Sequence, residues 1–187
     1  MANWFVAFPI PNTDHWIEQV LQTAPPELRR FHPDDVHLTI CFLGPLQPWQ
    51  QEALIREFAT LTAAPFDITL DSLRALPRPS FVTALSFELD EGRDYAANLI
   101  AQWRQPLADA VGKQPDPRDP LPHITIARPN RRYGKRAQRA ALRWIATVQP
   151  PSVRLHIDRV AVYTWAEDRS KRQFQIVQQH SLSSPPR

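Results

Sequence analysis

The chain reads as an α+β protein of two pseudo-symmetric lobes, each combining an antiparallel sheet with helices, with an active cleft between them. Three observations predict this bilobal fold. Segments of helical and strand period alternate along the chain. Each half closes on two adjacent strand-like runs, which favours hairpins over a parallel βαβ sheet. A four-residue pattern, histidine-apolar-threonine-apolar, occurs at 37–40 and again at 123–126.

The elements follow in order. Residues 3–8 form an opening strand, and Asn12 or Thr13 then caps a helix with Trp16, Ile17, Val20 and Leu21 on its apolar face. Pro25-Pro26 ends it. Residues 36–43, rich in β-branched and apolar side chains and closed by Gly44-Pro45, form a strand. Pro48 opens a second helix that buries Leu54, Ile55 and Phe58. Strands at 66–73 and 81–89 follow, joined by a stiff, proline-bearing tip.

The second half repeats this order. A helix over 95–111 is interrupted late by Pro106, and a strand follows at 123–127. The next helix, 135–148, carries the stripe Ala137, Ala141, Trp144, Ile145 and Val148, before closing strands at 153–165 and 173–179. We therefore expect one domain over 1–187 holding an internal repeat of 13–89 and 94–180, with an offset near 86 residues, the separation of His37 and His123.

Composition narrows the function classes. Hydrophobic residues make up 43% and charged residues 22%, as in ordinary globular proteins. The early apolar stretch at 4–10 is too short to cross a bilayer and lacks the features of a signal peptide, which implies a cytoplasmic protein without a membrane partner. One cysteine, Cys41, allows no internal disulfide and offers no thiolate cluster for a metal. A formal charge of +3, carried mostly by arginine, suits an anionic partner.

The repeated pattern carries the chemistry. Strand side chains alternate, so His37 and Thr39 share one face while Leu38, Ile40 and Phe42 enter the core; His123 and Thr125 do likewise against Ile124 and Ile126. With six histidines in the chain, chance predicts only about 0.3 His-x-Thr triplets, against the two observed in matching repeat positions. If the lobes are related by a two-fold axis, two imidazoles and two hydroxyls meet around a space for one phosphate. Histidine suits both proton-transfer roles because its unperturbed pKa is about 6.5. The remaining histidines, His15, His32, His156 and His180, have no repeat partner or ligand-like grouping, and no metal site is expected.

With its opening strand Phe5-Val-Ala-Phe-Pro-Ile-Pro, the stretch His37-Leu-Thr-Ile-Cys-Phe-Leu-Gly and the stretch Pro122-His-Ile-Thr-Ile-Ala-Arg, the chain resembles the two-histidine phosphoesterase superfamily over nearly its whole length. Within it, the resemblance is to the RNA 2′,3′-cyclic phosphodiesterases also called 2′-5′ RNA ligases. It implies hydrolysis of a terminal 2′,3′-cyclic phosphate to a 2′-phosphomonoester, with no metal or other cofactor, and a related 2′-5′ joining of RNA ends. It implies His37 as proton donor, His123 as proton acceptor, and Thr39 and Thr125 on the phosphate oxygens. The partner is then an RNA or oligonucleotide with a cyclic phosphate end, bound by a monomer.

Arg128, five residues past His123, is a further candidate for phosphate contact. Between 128 and 143 the chain carries seven basic residues and no acidic one, with Arg132, Arg136, Arg139 and Arg143 at helical spacing for an RNA backbone or simply for solvent. Phe8, Tyr133 and Tyr163 are candidate platforms for stacked bases, whereas Trp16 and Trp144 belong to the core. The rival reading keeps the fold but makes the protein an RNA-binding or RNA-repair accessory without cyclic phosphodiesterase turnover.

Overall fold

The computed structural model describes residues 2–183. The chain runs through β1 (Asn3–Pro9), α1 (Trp16–Gln22), β2 (Leu28–Arg30), β3 (His37–Pro45), α2 (Pro48–Phe58), β4 (Phe66–Arg78) and β5 (Phe81–Leu89). It continues through α3 (Arg93–Ala110), β6 (His123–Pro129), α4 (Gly134–Ile145), β7 (Arg154–Ile157), β8 (Arg159–Trp165) and β9 (Phe174–Ser181). The α+β class expected from the sequence is the class observed. No helix among the described residues is long and apolar enough to cross a membrane.

All strands share one antiparallel sheet in the order β7-β4-β5-β6-β3-β1-β8-β9, with β2 paired to β6. The two central strands are those bearing the histidines, and they touch where Leu38 lies opposite Ile124. About that seam the order is symmetric: β6 answers β3, β5 answers β1, β4 answers β8 and β7 answers β9. Register repeats the symmetry. Ala7 faces Thr39 and Pro9 faces His37 on one side; Ser86 faces Thr125 and Glu88 faces His123 on the other.

The lobes are consequently not the sequence halves. One is β7-β4-β5-β6 and the other β3-β1-β8-β9, and each draws strands from both halves. By position in the sheet, β1 is equivalent to β5 and β3 to β6. The strand expected at 153–165 also divides at Asp158: β7 pairs with β4 near one end of the sheet, and β8 pairs with β1 toward the other. Alternating burial of Leu155 and Ile157 gives way to consecutive burial of Val160, Ala161, Val162 and Tyr163, two periods that a continuous β-rich stretch conceals.

Helix α3 packs on β3 and α2, while α4 packs on β4, β5 and β6. Pro106 does not interrupt α3, contrary to expectation. It sits on the exposed face, where water can satisfy the carbonyl its ring leaves free, while Leu99, Ile100, Trp103 and Leu107 stay buried on the other. Gly92 turns the chain from β5 into α3 with φ +75°, and a Cβ there would stand 2.3 Å from the Asp67 carbonyl oxygen. Gly92→Ala should therefore lower the unfolding free energy by about 2 kcal/mol or more. Denaturant midpoints check this, and an unchanged midpoint would show that the turn tolerates a side chain.

Candidate active site

At the seam, the pairing of Leu38 with Ile124 and the antiparallel sense set His37 across from Thr125 and Thr39 across from His123. Leu38 and Ile124 are fully buried beneath. The four polar side chains therefore project together from the opposite face, two imidazoles and two hydroxyls in diagonal pairs. His123, Thr39, Thr125 and Arg128 line a cleft of about 740 Å³. His37 is not on that cleft's wall; it stands at its edge, within electrostatic reach of both His123 and Arg128.

Both rings are held in the same way. His37 Nδ1 lies 2.6 Å from the Asp35 carbonyl oxygen, and His123 Nδ1 lies 2.7 Å from the Leu121 carbonyl oxygen. A carbonyl only accepts, so each Nδ1 carries the hydrogen and each Nε2 is left free for proton exchange. In each case the acceptor is the residue two positions earlier.

The surroundings then diverge. Phe5, Tyr163 and Phe174 ring His37, with centroids 4.7, 5.5 and 5.4 Å away. This burial pushes its pKa down to about 4. Burial also lowers His123, but the Glu88 carboxylate, its cross-strand partner, works to raise it. The threonines differ as well. Thr125 Oγ1 shares a hydrogen bond of 2.8 Å with the buried Ser86 hydroxyl, whereas the partner of Thr39 is Ala7.

Arg128 reaches the cleft by way of a bulge. The β5–β6 register slips between Leu85 and Ser86, so Ile126 and Ala127 are both buried and Arg128 returns to the face of His123 and Thr125. Strict alternation would have sent it to the core side. The equivalent slip in β1–β3 buries Ile40 and Cys41 together and turns Phe42 outward, 63% exposed on the cleft wall, which corrects the expectation that Phe42 is core.

Three residues of this site were not anticipated. Asp35 is buried; its carboxylate accepts from the backbone N–H groups of Gln173 at 2.6 Å and Phe174 at 2.9 Å, so one residue fixes both the His37 tautomer and the ring packed edge-on against it. Ser86 and Glu88 act from β5. Polar residues inside or just before an apolar strand were the only available signal for them. Of the proposed stacking platforms, Phe8 and Tyr163 are core, and Tyr133 lies against Arg132 on the surface. Trp16 and Trp144 are buried as expected. His32 caps a turn through Asp34 N–H, and His156 bonds Asp67. Among the described residues, no three metal-ligating side chains converge.

A sequence model of the 2′-5′ RNA ligase superfamily matches residues 9–169. The fold is similar to that of Escherichia coli LigT complexed with 3′-AMP, at 21% identity and a TM-score of 0.74 over 97% of this chain and 98% of that one. It is also similar to TT0787 of Thermus thermophilus, at 17% identity and a TM-score of 0.69 over the same shares. No curated protein matches the sequence significantly.

The state of His37 has a consequence for stability. An imidazole of the unfolded chain takes a proton near pH 6.5, while His37 in the fold takes one only near pH 4. Protonation thus favours the unfolded chain: the stabilisation is complete above about pH 6.5 and is lost as pH falls toward 4. His37→Gln should flatten the fall in stability across that window, measured as denaturation midpoints at several pH values. An equal fall in both proteins would place the titrating group elsewhere.

Proposed function

The chain belongs to the 2′-5′ RNA ligase superfamily, and from that premise we propose that it opens a 2′,3′-cyclic phosphate at an RNA end to a 2′-phosphomonoester. The observation that carries this reading is the seam itself, where antiparallel pairing gathers two imidazoles with free Nε2 atoms and two hydroxyls on one face. In-line displacement at phosphorus needs a base on one side of the phosphate and an acid on the other. One imidazole takes a proton from the attacking water as its oxygen bonds to phosphorus. The bond to the ribose 3′ oxygen breaks, and the other imidazole protonates that oxygen. Thr39, Thr125 and Arg128 hold the non-bridging oxygens, where charge accumulates. If the attacking group is an RNA 5′-hydroxyl in place of water, the same displacement joins ends through a 2′-5′ linkage.

Each of His37→Ala and His123→Ala should lower turnover of nucleoside 2′,3′-cyclic phosphates by at least about 10²-fold with the fold retained. The assay is run in excess EDTA, where the wild type should keep full activity and yield a 2′-phosphate. Near-normal turnover by either variant, or rescue of a chelated enzyme by zinc or manganese, would reject this mechanism.

The family resemblance gives His37 the acid's part and His123 the base's. In the free cleft burial holds the pKa of His37 down to about 4, and burial lowers that of His123 as well, against the Leu121 carbonyl bond and the Glu88 carboxylate. The assignment therefore requires the entering phosphate anion to charge His37. Leaving-group dependence separates the roles: an aryl phosphodiester departs without protonation, so loss of the acid matters little for it. His37→Ala should regain most of its lost rate on such a substrate, and His123→Ala should not. The opposite pattern would exchange the two roles.

A further inference from the structure

A second cavity, of about 780 Å³, adjoins the cleft and shares Thr83 and Arg128 with it. Four guanidinium groups line it, those of Arg29, Arg128, Arg131 and Arg169, and no carboxylate does. Their arrangement is electrostatically costly. Arg29 and Arg128 are direct cross-strand partners in β2 and β6, and like charges placed opposite each other destabilise a sheet. Both also lie over the Phe31 ring, 5.9 and 5.5 Å from its centroid. Arg29 and Arg169 converge on one neutral acceptor, each donating to Gln173 Oε1 at 3.1 Å. None of the four takes part in an ion pair among the described residues. Burial and mutual repulsion lower the proton affinity of Arg29 and Arg128, against a weaker opposing pull of the Asp35 carboxylate on Arg29.

An anion resolves this crowding, and the position of the cavity says which. Arg128 faces both cavities, so an anion held here is adjacent to a phosphate bound between the histidines. The Trp165 indole forms another wall, with Arg169 stacked 4.3 Å from its centroid, and Phe81 is exposed beside it. Guanidinium forks with an aromatic plane suit a phosphodiester together with a base.

We propose that this cavity binds the internucleotide phosphate and base immediately upstream of the reacting RNA end, making the protein selective for oligonucleotides over mononucleotides. This rests on the reaction proposed above. The helical stripe at Arg132, Arg136, Arg139 and Arg143 is not its source: Arg136 is engaged by Glu27, and these four residues lie outside the cavity wall. The arginines that matter come instead from β2, from β6 and its connection to α4, and from the loop after β8.

The test compares a nucleoside 2′,3′-cyclic phosphate with a trinucleotide ending in the same group, for the wild type, Arg131→Gln and Arg169→Gln. In parallel, binding of a fluorescently labelled trinucleotide with an ordinary 3′-phosphate is followed against salt. The wild type should favour the trinucleotide at least about tenfold in kcat/KM. Each variant should lose about tenfold on the trinucleotide and little on the mononucleotide, with a salt slope of binding shallower by about one. Equal losses on both substrates, or no change in either turnover or binding, would overturn the proposal. If the wild type opens neither substrate, the proposed reaction fails by itself, and the binding measurements still decide whether the cavity holds an RNA strand.

Discussion

The proposed active site depends on one antiparallel contact, that of β3 with β6 at Leu38 and Ile124. The pair is fully buried, and it links the two lobes into a continuous sheet. Apolar burial on the core face fixes the register, because a slip of one residue would expose the leucine and isoleucine and drive the histidines inward. The alignment of the two imidazoles and the two hydroxyls is thus set by hydrophobic packing on the reverse side of the strands. Few polar contacts are then needed to assemble the cleft, and those present orient single groups, as the Asp35 and Leu121 carbonyls do for the two imidazoles.

Pseudo-symmetry supplies the constellation, and departures from it differentiate the parts. The same bulge occurs in β3 and β6 after each threonine, yet it turns Phe42 outward on one side and Arg128 on the other. The two bulges consequently present an aromatic ring to the cleft from β3 and a guanidinium from β6. Opposite His123 stands a glutamate that raises its proton affinity, whereas opposite His37 stands an uncharged proline. Two copies of one strand pattern can in this way take unequal roles without any change in the pattern itself.

Basic charge is distributed with similar economy. The run between 128 and 143 looks like a single patch in sequence, but its members part company in space: Arg128 enters the cleft, Arg131 the neighbouring cavity, and Arg136 an ion pair with Glu27. The second cavity gains its other arginines from β2 and from the loop after β8, elements remote in sequence. Gln173 and Phe31 organise that cluster without neutralising it.

Local pattern was enough to determine the α+β class, the four helices, most of the strands and the placement of His37, Thr39, His123 and Thr125 on the strand faces opposite the apolar core. These depend on periodicity, capping and turn residues, which act over a few neighbours. Tertiary structure alone decided which strands are adjacent. It exchanged β4 and β8 between lobes, separated β7 from β8, and recruited β2, which is too short for its pattern to register. It also decided the facing of Arg128 and Phe42, since a bulge is a property of two paired strands, and the roles of Asp35, Ser86 and Glu88, whose partners lie across the sheet. The division is physical: side-chain period is written in a single segment, whereas register and electrostatic environment exist only once segments far apart in the chain have met.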